Sequence, residues 1–407
     1  MKVIIIGAGI GGASLALSLA KLGIDYVLIE QAKAFTSVGA GIQLSPNGVR
    51  VLAQLGLGEK LKEVSTEPDF HKYSVWDSGE TVLKTPLQPS VESTYGYPYY
   101  HTHRADLIEL LTEQLDASRL LMNTRVSSVN QNDDGAWVIS SDGQRVEGDL
   151  IIGADGIHSL VREKVFKPDS PRTSGYASWR GVVDSEAIGH LDIPVSAYVD
   201  MGPRLSFVYY FVSGGKKFNW LALGRTNDPL RESWSQTATR EQVIRAFDGW
   251  YERPKQIIEA TPDIFVTALR DRDPLTSWVN GKVALIGDAA HAMLPYHAQG
   301  AVQSLEDAWV LARTLELSKE CPVAALKRYE SLRYDRANIL VQQSRNAESW
   351  YHVDTPQQIE ERNKRFRATN KKLDGGFSPQ QNWLYSYDAD RAALGSDSKW
   401  RELRPWS

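Results

Sequence analysis

The most constraining feature of this chain is a glycine pattern close to its first residue. Gly7, Gly9 and Gly12 form G-x-G-x-x-G directly after Val3–Ile6, a short β-branched run typical of a buried strand. A helical pattern follows and ends at Gly23; its apolar face carries Leu15, Leu19 and Leu22. In that context the first glycine allows a tight turn, the second lets a pyrophosphate approach the backbone, and the third lets helix and strand pack closely. The sequence therefore predicts a dinucleotide site at the helix N-terminus, where free amides favour anions.

A competing interpretation of the same segment is a membrane span or a signal peptide. Val3–Ala20 runs eighteen residues without a charge, which reaches spanning length. The four glycines between Gly7 and Gly12 oppose a helix centred there, since each costs about 0.8–1 kcal/mol relative to alanine. A single lysine precedes the run and no A-x-A cleavage site follows it. No other segment approaches spanning length, so we expect a cytoplasmic protein without a membrane span.

A carboxylate follows the next predicted strand, where a nucleotide ribose would lie. Tyr26–Ile29 is followed by Glu30, eighteen residues after Gly12. A carboxylate at that point can hold a ribose hydroxyl and disfavours a 2′-phosphate by its charge. The pattern leaves open whether the ligand is FAD or NAD, and the glycines alone would also fit a simple tight turn.

Two later segments repeat a buried strand followed by a Gly-Asp or Gly-Ala-Asp step. Leu150–Gly153 leads to Asp155, and Val283–Gly287 leads to Asp288. An aspartate at the end of a buried strand can reach a ribityl or ribose hydroxyl of a ligand laid across the sheet edge. The alternative is that each aspartate caps the turn that follows it.

Composition limits the remaining function classes. The 407 residues suggest two or three domains. The net charge of −4 gives no bulk attraction to nucleic acid or to an anionic membrane. The basic stretch Arg362–Lys372 is interpreted as a solvated helix face. Cys321 is the only cysteine, which rules out an intrachain disulfide and a thiolate zinc cluster, and no metal site is expected.

Together these motifs resemble the class A flavoprotein aromatic hydroxylases, which are single-component FAD monooxygenases. Four separated motifs carry the resemblance, and it extends from Met1 to about Arg336. Three further segments look most like salicylate hydroxylases and their relatives, the 6-hydroxynicotinate 3-monooxygenases and 3-hydroxybenzoate 6-hydroxylases: Gly39–Asn47, Pro295–Gly300 and Trp383–Ala389. The hydroxynicotinate enzymes carry a histidine where this chain has Gln43, so a base at that position is absent here.

The resemblance implies an α/β fold with a Rossmann-like FAD-binding domain of the glutathione-reductase type. An interleaved, mostly antiparallel β-sheet substrate domain and a C-terminal helical region complete it. Because the motifs lie far apart, the FAD-binding domain is expected to be discontinuous. The expected division is 1–70, 101–171 and 276–350 for the FAD-binding domain, 71–100 and 172–275 for the substrate domain, and 351–407 for the helical tail.

The resemblance also implies which residues bind the cofactor. The glycine loop and Glu30 would hold the ADP half of FAD, Asp155 would serve both FAD and NAD(P)H, and Asp288 would bind the ribityl chain. Arg104 resembles the family arginine near the diphosphate, with a solvated arginine that opens a helix as the alternative. If Gly300 opens a helix, its N-terminus can face the flavin and stabilise the reduced anion. The remaining expected cofactor-binding positions are Gln31, Gln43, Val126, Pro295 and Ala301.

Four residues are candidates for the substrate site, three of them with a structural alternative. Tyr209 matches a tyrosine that contacts substrate in the relatives, and the alternative is packing within a sheet. His297 is a candidate base, and Tyr296 beside it a candidate for substrate contact; a satisfied structural histidine is the alternative for His297. Arg180 could pair with a substrate carboxylate or position the flavin, or it could be a sheet arginine.

The resemblance implies the reaction as well. We expect NADH or NADPH to reduce FAD and dioxygen to supply the oxygen that enters a small phenolic or hydroxy-heteroaromatic acid, with or without decarboxylation. The expected partners are that aromatic substrate and dioxygen, with no nucleic acid, and the protein is expected to be a monomer or a homodimer. Two alternatives are a flavin reductase or dehydrogenase that inserts no oxygen and a non-enzymatic binding protein on the same fold.

Overall fold

The computed structural model describes residues 1–35, 39–166, 168–225, 236–396 and 400. The strands within these residues, in chain order, are β1 Lys2–Ile6, β2 Asp25–Ile29, β3 Gly41–Leu44, β4 Ser65–Thr66, β5 Phe70–Val75, β6 Thr81–Pro86, β7 Tyr100–His103, β8 Leu120–Leu121, β9 Val126–Gln131, β10 Ala136–Ser140, β11 Arg145–Gly148, β12 Leu150–Gly153, β13 Arg172–Asp184, β14 Ala197–Met201, β15 Leu205–Val212, β16 Lys217–Arg225, β17 Thr237–Ala238, β18 Ile264–Asp271, β19 Val279–Asn280 and β20 Val283–Leu285.

The α-helices within the same residues range from one turn to eight. In chain order they are α1 Ile10–Lys21, α2 Pro46–Gln54, α3 Gly58–Val64, α4 Ser90–Tyr95, α5 Arg104–Thr112, α6 Arg240–Arg245, α7 Glu252–Glu259, α8 Asp288–His291, α9 Gly300–Leu317, α10 Pro322–Tyr351, α11 Pro356–Leu373, α12 Pro379–Tyr385 and α13 Ala389–Ala393. No helix of the described residues is long and apolar enough to cross a membrane.

The first sheet brings the sequence motifs to one edge. Its strand order is β19-β20-β12-β1-β2-β8, and β20, β12, β1 and β2 pair in parallel. Because both faces of such a sheet are covered, its strands are continuous apolar runs, and Val3, Ile4 and Ile5 have no exposed surface. The carboxyl ends of β1, β12 and β20 lead to Gly7, Asp155 and Asp288, so these three residues meet at one edge.

The second large sheet is mostly antiparallel, as expected for a substrate domain. Its order is β17-β18-β13-β16-β15-β14-β5-β6, and the β14–β5 pair is parallel. We call the face that carries Phe207, Tyr209 and Trp220 the outer face; it packs against α6 and α7. The opposite, inner face packs against Leu294, Tyr296 and α10.

Two three-stranded sheets complete the β-structure. One has the order β11-β10-β9. The other, β3-β7-β4, lies against the inner face: a Cβ atom on Gly41 of β3 would meet the Tyr210 ring at 2.6 Å and Asn219 at 2.7 Å. This small sheet therefore joins the cofactor motifs to the large antiparallel sheet.

The pair of long helices near the C-terminal end is held together by buried charges. Glu306 and Asp307 of α9 have no exposed surface, and they pair with Arg333 and Arg336 of α10. The two carboxylates are thus interhelical. The carbonyl oxygens of Trp383 and Leu384 in α12 accept hydrogen bonds from Arg336 at 3.3 and 3.2 Å, which connects the C-terminal helices to this network.

The predicted α/β fold is confirmed. The domain division stays a prediction; β5 begins at Phe70 and β7 at Tyr100, each one residue before an expected bound. One detail of the basic stretch is wrong: Arg362 is buried and donates to the carbonyl oxygen of Met201 at 2.9 Å, because α11 turns this side chain toward the end of β14. The other basic residues of the stretch are exposed on α11: Lys364, Arg365, Arg367, Lys371 and Lys372.

Candidate active site

The three fingerprint glycines have three different environments. Gly7 has φ +98°, and its N–H donates to the carbonyl oxygen of Ile29 at 2.8 Å. A Cβ atom on Gly12 would lie 1.8 Å from the carbonyl oxygen of Gly7, so only glycine lets α1 approach β1 this closely. A Cβ atom on Gly9, at the N-terminus of α1, would meet no atom within 4 Å. The structure therefore leaves room for a ligand only at the second glycine, as a pyrophosphate requires.

Glu30 links the glycine loop to the end of β2. One carboxylate oxygen accepts the N–H of Ala8 and the other accepts the N–H of Ala32, both at 2.8 Å. A carboxylate offers about four lone pairs, so each oxygen can still accept a hydrogen bond from a ribose hydroxyl. Gln31 follows as an exposed residue, and the buried Val126 begins β9 two residues after Thr124, whose N–H donates to the carbonyl oxygen of Glu30.

Arg104 and Asp288 lie close to each other across the site. Burial lowers the pKa of Arg104, and the charges of Asp288 and Glu30 oppose that shift. The Asp288 carboxylate is accessible yet largely surrounded by protein, which raises its pKa, while His291 and Arg104 act in the opposite direction. Arg104 is therefore partly buried between acidic groups, which favours its cofactor interpretation over that of a solvated arginine.

Asp155 acts as a cap in this structure. Its carboxylate accepts hydrogen bonds from the Ser159 hydroxyl at 2.5 Å and from the Leu160 N–H at 2.7 Å. Its Cα atom would lie 2.9 Å from a Cβ atom on Gly7, so its backbone supports the glycine loop. The capping alternative therefore describes the side chain, and direct contact of its carboxylate with FAD or NAD(P)H stays a prediction.

The segment before α9 divides into an exposed part and a part that packs on α10. Pro295 is exposed, whereas the Tyr296 hydroxyl lies 3.0 Å from Nε2 of His352. Burial lowers the pKa of His297, and a hydrogen bond with the backbone of Gln343 in α10 opposes that shift. The structural alternative thus fits His297, and Tyr296 also packs on α10; substrate contact by either stays a prediction.

The helix expected at Gly300 is present. α9 begins at Gly300 with Ala301 as its second residue, and a Cβ atom on Gly300 would meet no atom within 4 Å. Gln299 precedes it, and its amide donates to the Ser45 hydroxyl at 3.0 Å. The N-terminus of an 18-residue helix is therefore open to a ligand beside Pro295, which suits the stabilisation of a reduced-flavin anion.

Strand alternation separates Tyr209 from the inner face. Tyr209 is fully buried on the outer face, where its ring stacks on Tyr198 with centroids 4.7 Å apart. Its hydroxyl lies 3.0 Å from that of Tyr251, which donates to Asp200 at 2.6 Å. The structure favours the sheet-packing alternative for Tyr209, and the inner-face tyrosine of β15 is its neighbour Tyr210.

Arg180 lies on the inner face of β13 beside a cavity. Burial lowers the pKa of Arg180 to about 10, and the charge of Arg104 acts in the same direction, so the two guanidinium groups are neighbours. The cavity has a volume of about 260 Å³, and its polar lining includes His103, Lys217 and Asn219. Arg180 and Lys217 thus line, together with the acidic Asp184 and Asp263, a space between the small sheet and the large antiparallel sheet.

Two histidines that the sequence interpretation did not select lie in the same region. The His101 ring is 4.3 Å from the Tyr210 ring, and neither of its nitrogens has a hydrogen-bond partner among the described residues. Nε2 of His71 is likewise without a partner, and Tyr99 donates to Oε1 of Gln43 at 2.7 Å. The alternating pattern that ends in His103-Arg104 places His101 on the same side as His103, and this was the available signal.

These residues fit FAD. An open helix N-terminus at Gly9 suits a diphosphate, Glu30 and Asp288 suit ribose and ribityl hydroxyls, and Arg104 supplies a cation between them. The cradle extends to Gly300 at the second open helix N-terminus.

Comparison with known proteins agrees with this fit. A 3-amino-4-hydroxybenzoate 2-monooxygenase of Streptomyces cremeus is 35% identical over 96% of this chain and 96% of its own. A 3-hydroxybenzoate 6-hydroxylase of Aquipseudomonas alcaligenes is 35% identical over 94% of this chain and 97% of its own. The crystal structure of Klebsiella pneumoniae HpxO with FAD and uric acid superposes with a TM-score of 0.83, at 29% identity over 99% of this chain and 97% of that one. The family model described as FAD binding domain matches residues 1–344, and this chain therefore belongs to that family of flavoproteins, as its motifs predicted.

Proposed function

We propose that this protein is an FAD monooxygenase that uses NADH or NADPH and dioxygen to hydroxylate a small phenolic or hydroxy-heteroaromatic carboxylic acid. The observation that carries the proposal is that the residues suited to FAD lie next to the inner face of the large sheet. The cofactor cradle of Gly9, Arg104 and Asp288 adjoins, through Gly39–Gly41, the inner face that carries Arg180 and Tyr210. The relatives named above act on hydroxybenzoates, which supports an acid of this class.

The bound FAD supplies hydride acceptance from NAD(P)H and the activation of dioxygen. The chain's own residues bind and orient. Arg104 and the N-terminus of α1 attract the diphosphate, and Asp288 and Glu30 accept hydrogen bonds from hydroxyl groups of the cofactor. The N-terminus of α9 stabilises negative charge near Pro295. The inner face and the small sheet exclude water from the space where the aromatic ring is to lie.

Arg180 is our candidate for holding the substrate carboxylate. Its guanidinium lies on the inner face, lines the 260 Å³ cavity together with Lys217, and is close to Arg104. Asp184 and Asp263 line the same cavity and offset the positive charge of its lining, so the support for Arg180 is its closeness to Arg104 and the ability of an arginine to bind a carboxylate with two parallel hydrogen bonds. We expect Arg180→Met to raise the KM for the aromatic acid more than it lowers kcat, since this contact is made with the ground state and the transition state alike.

The test of the function is oxygen incorporation. The purified protein, reconstituted with FAD, is given NADH or NADPH and a panel of salicylate, 3- and 4-hydroxybenzoate, 3-amino-4-hydroxybenzoate and 6-hydroxynicotinate under ¹⁸O₂. We expect one acid to accelerate nicotinamide oxidation and to acquire one labelled oxygen atom. A product reduced without label identifies a reductase or dehydrogenase, and a protein that takes up no FAD identifies a binding protein. Release of carbon dioxide decides whether hydroxylation replaces the carboxylate.

We also propose a cytoplasmic protein that is a monomer or a homodimer. The single cysteine suits a reducing compartment. Light scattering of the holoprotein measures the oligomeric state directly.

A further inference from the structure

His101 differs from the other buried histidines of the described residues in having no partner for either ring nitrogen. Its side chain is 1% exposed. His291 is equally buried, but its Nε2 pairs with Asp307, and Nε2 of His352 is bonded to Tyr296. An unsatisfied buried polar group costs about 1–3 kcal/mol, so proteins seldom retain one without a use. His101 therefore points to a ligand that completes its hydrogen bonds.

The position of His101 indicates which ligand this is. In the small sheet it lies directly opposite Gln43 of β3 on one side and Thr66 of β4 on the other. Its ring contacts Tyr210 on the inner face of the large sheet, and Tyr210 is paired with Asn219. Asn219 also lines the cavity that contains Arg180. The unpaired imidazole and the candidate carboxylate site thus lie along one continuous face.

The residues around His101 favour an uncharged ligand group as its hydrogen-bond partner. Burial lowers the pKa of His101 well below its ordinary range, and the neighbouring His71 acts in the same direction. Burial alone lowers the pKa of His71 to about 4. The other titratable groups around His101 are phenols, Tyr99 and Tyr210, whose pKa values burial raises, so they are uncharged as well. A neutral imidazole offers one donor and one acceptor, which matches a hydroxyl group on an aromatic ring.

We propose that His101 accepts a hydrogen bond from the ring hydroxyl of the aromatic acid and that His71 supports this contact. The inference rests on the proposed function and deepens it, because it assigns a residue to the ring hydroxyl of the substrate, whereas Arg180 is the candidate for its carboxylate. A hydrogen bond to the hydroxyl fixes the ring orientation and increases electron density on the carbon atoms to be hydroxylated. It also gives specificity, since an analogue without the hydroxyl leaves His101 buried and unpaired.

The test compares each acid with its deoxy analogue by titrating the oxidised holoenzyme and following the flavin absorbance. The probes are 3-hydroxybenzoate and salicylate against benzoate, and 6-hydroxynicotinate against nicotinate. In the wild type we expect the best hydroxy acid to bind at least about tenfold more tightly than its deoxy partner. In His101→Leu we expect this ratio to fall toward one with the affinity for the deoxy acid unchanged. In His101→Gln, whose amide oxygen can accept, we expect a partial return. His190→Gln, an exposed histidine, is the control and keeps the wild-type ratio.

An unchanged ratio in His101→Leu with full flavin content overturns the proposal. If that variant takes up no FAD, the decision passes to ring ¹⁵N resonances of the histidine-labelled holoenzyme. The resonance absent from His101→Gln must shift with the hydroxy acid and stay in place with the deoxy acid; no shift overturns the proposal. Failure of the proposed function can be told apart from failure of this inference. If an acid binds with an affinity that depends on its hydroxyl group but is never hydroxylated, the proposed monooxygenase activity is wrong and the role of His101 stands. If no acid binds, both fail.

Discussion

At the scale of single residues, two glycines of the same loop have different roles. Gly12 permits contact between α1 and β1, because a Cβ atom there would overlap the carbonyl oxygen of Gly7. Gly9 keeps a space open, because a Cβ atom there would meet no protein atom within 4 Å. Gly12 is therefore required by the fold, and Gly9 is required by the ligand.

This difference predicts opposite behaviour of two alanine variants. For the protein without FAD, Gly9→Ala should change the free energy of unfolding by no more than about 0.5–1 kcal/mol relative to wild type, because the φ of −71° at Gly9 suits alanine. The same variant should bind FAD more weakly, because the new methyl group occupies the approach of the diphosphate. Gly12→Ala should instead lower folded yield as well as flavin content. Calorimetry and flavin absorbance of matched preparations measure both quantities, and equal stability losses in the two variants would contradict this assignment.

The same scale shows which features a sequence can indicate and which it cannot. Gly7, Glu30 and Asp288 could be selected because each follows a buried strand at a spacing typical of dinucleotide sites, and their contact with FAD stays a prediction. Tyr209 was selected from the family resemblance, and because both faces of β15 are buried, apolar alternation could not show that Tyr210 is the tyrosine on the inner face. His101 was not selected, because alternation with His103 indicates only its side of the strand and no local pattern displays the absence of a hydrogen-bond partner.

At the scale of elements, the outer face of the large sheet contains a carboxylate that the proposed chemistry does not use. Asp200 of β14 has no exposed surface and accepts a hydrogen bond from Tyr251, while its other oxygen has no partner among the described residues. Burial raises its pKa to about 6, although the hydrogen bond from Tyr251 opposes that shift. The folded protein therefore holds a proton on Asp200 at pH values where the unfolded chain has released it.

Asp200 should consequently lower stability as the pH rises. Between about pH 4 and pH 6 the folded state binds more protons than the unfolded state at this site, so the free energy of unfolding falls with increasing pH. A shift from 3.8 to about 6 corresponds to about 3 kcal/mol. Asp200→Asn keeps an acceptor for Tyr251 and cannot ionise. Relative to wild type, its unfolding free energy measured in urea should rise by up to that amount between pH 4 and pH 7; a pH-independent difference would exclude this role.

From the buried ion pairs between α9 and α10 we predict a second change in the free energy of unfolding, of similar size. Arg336 and Arg333 hold the pKa of Glu306 below its ordinary value although burial opposes this. Glu306→Ala leaves two buried arginines with less neutralisation and should cost about 3–5 kcal/mol. Glu316→Ala on the same helix removes a partly exposed partner of Arg313 and should cost at most about 1 kcal/mol. Urea unfolding of both variants measures the contrast, and similar losses would show that burial does not govern these pairs.

At the scale of the whole molecule, the C-terminal helices close the FAD-binding domain. Sequence predicted a helical tail after residue 350, and its short helices are present. Their contacts could not be predicted, because the partners lie 81 to 337 residues earlier: Arg50 donates to the carbonyl oxygen of Tyr387, and the Trp309 indole donates to Asp390 at 3.1 Å. The Arg336 guanidinium also lies 3.9 Å from the centre of the Tyr387 ring. The tail is thus part of the core that supports α2, α9 and α10.

Removal of residues 378–407 should therefore prevent folding of the FAD-binding domain. The deleted segment contains buried large side chains, among them Trp383, Leu384, Tyr385 and Tyr387. At about 1.5–3 kcal/mol each, their loss amounts to about 6–12 kcal/mol, which is comparable to the whole stability of a typical domain. We expect low soluble yield, no cooperative unfolding transition in circular dichroism and no bound flavin. The matched control, Lys371→Ala with Lys372→Ala on the exposed end of α11, should behave as wild type. A truncated chain that retains FAD and the wild-type transition temperature would show that the tail is an appendage.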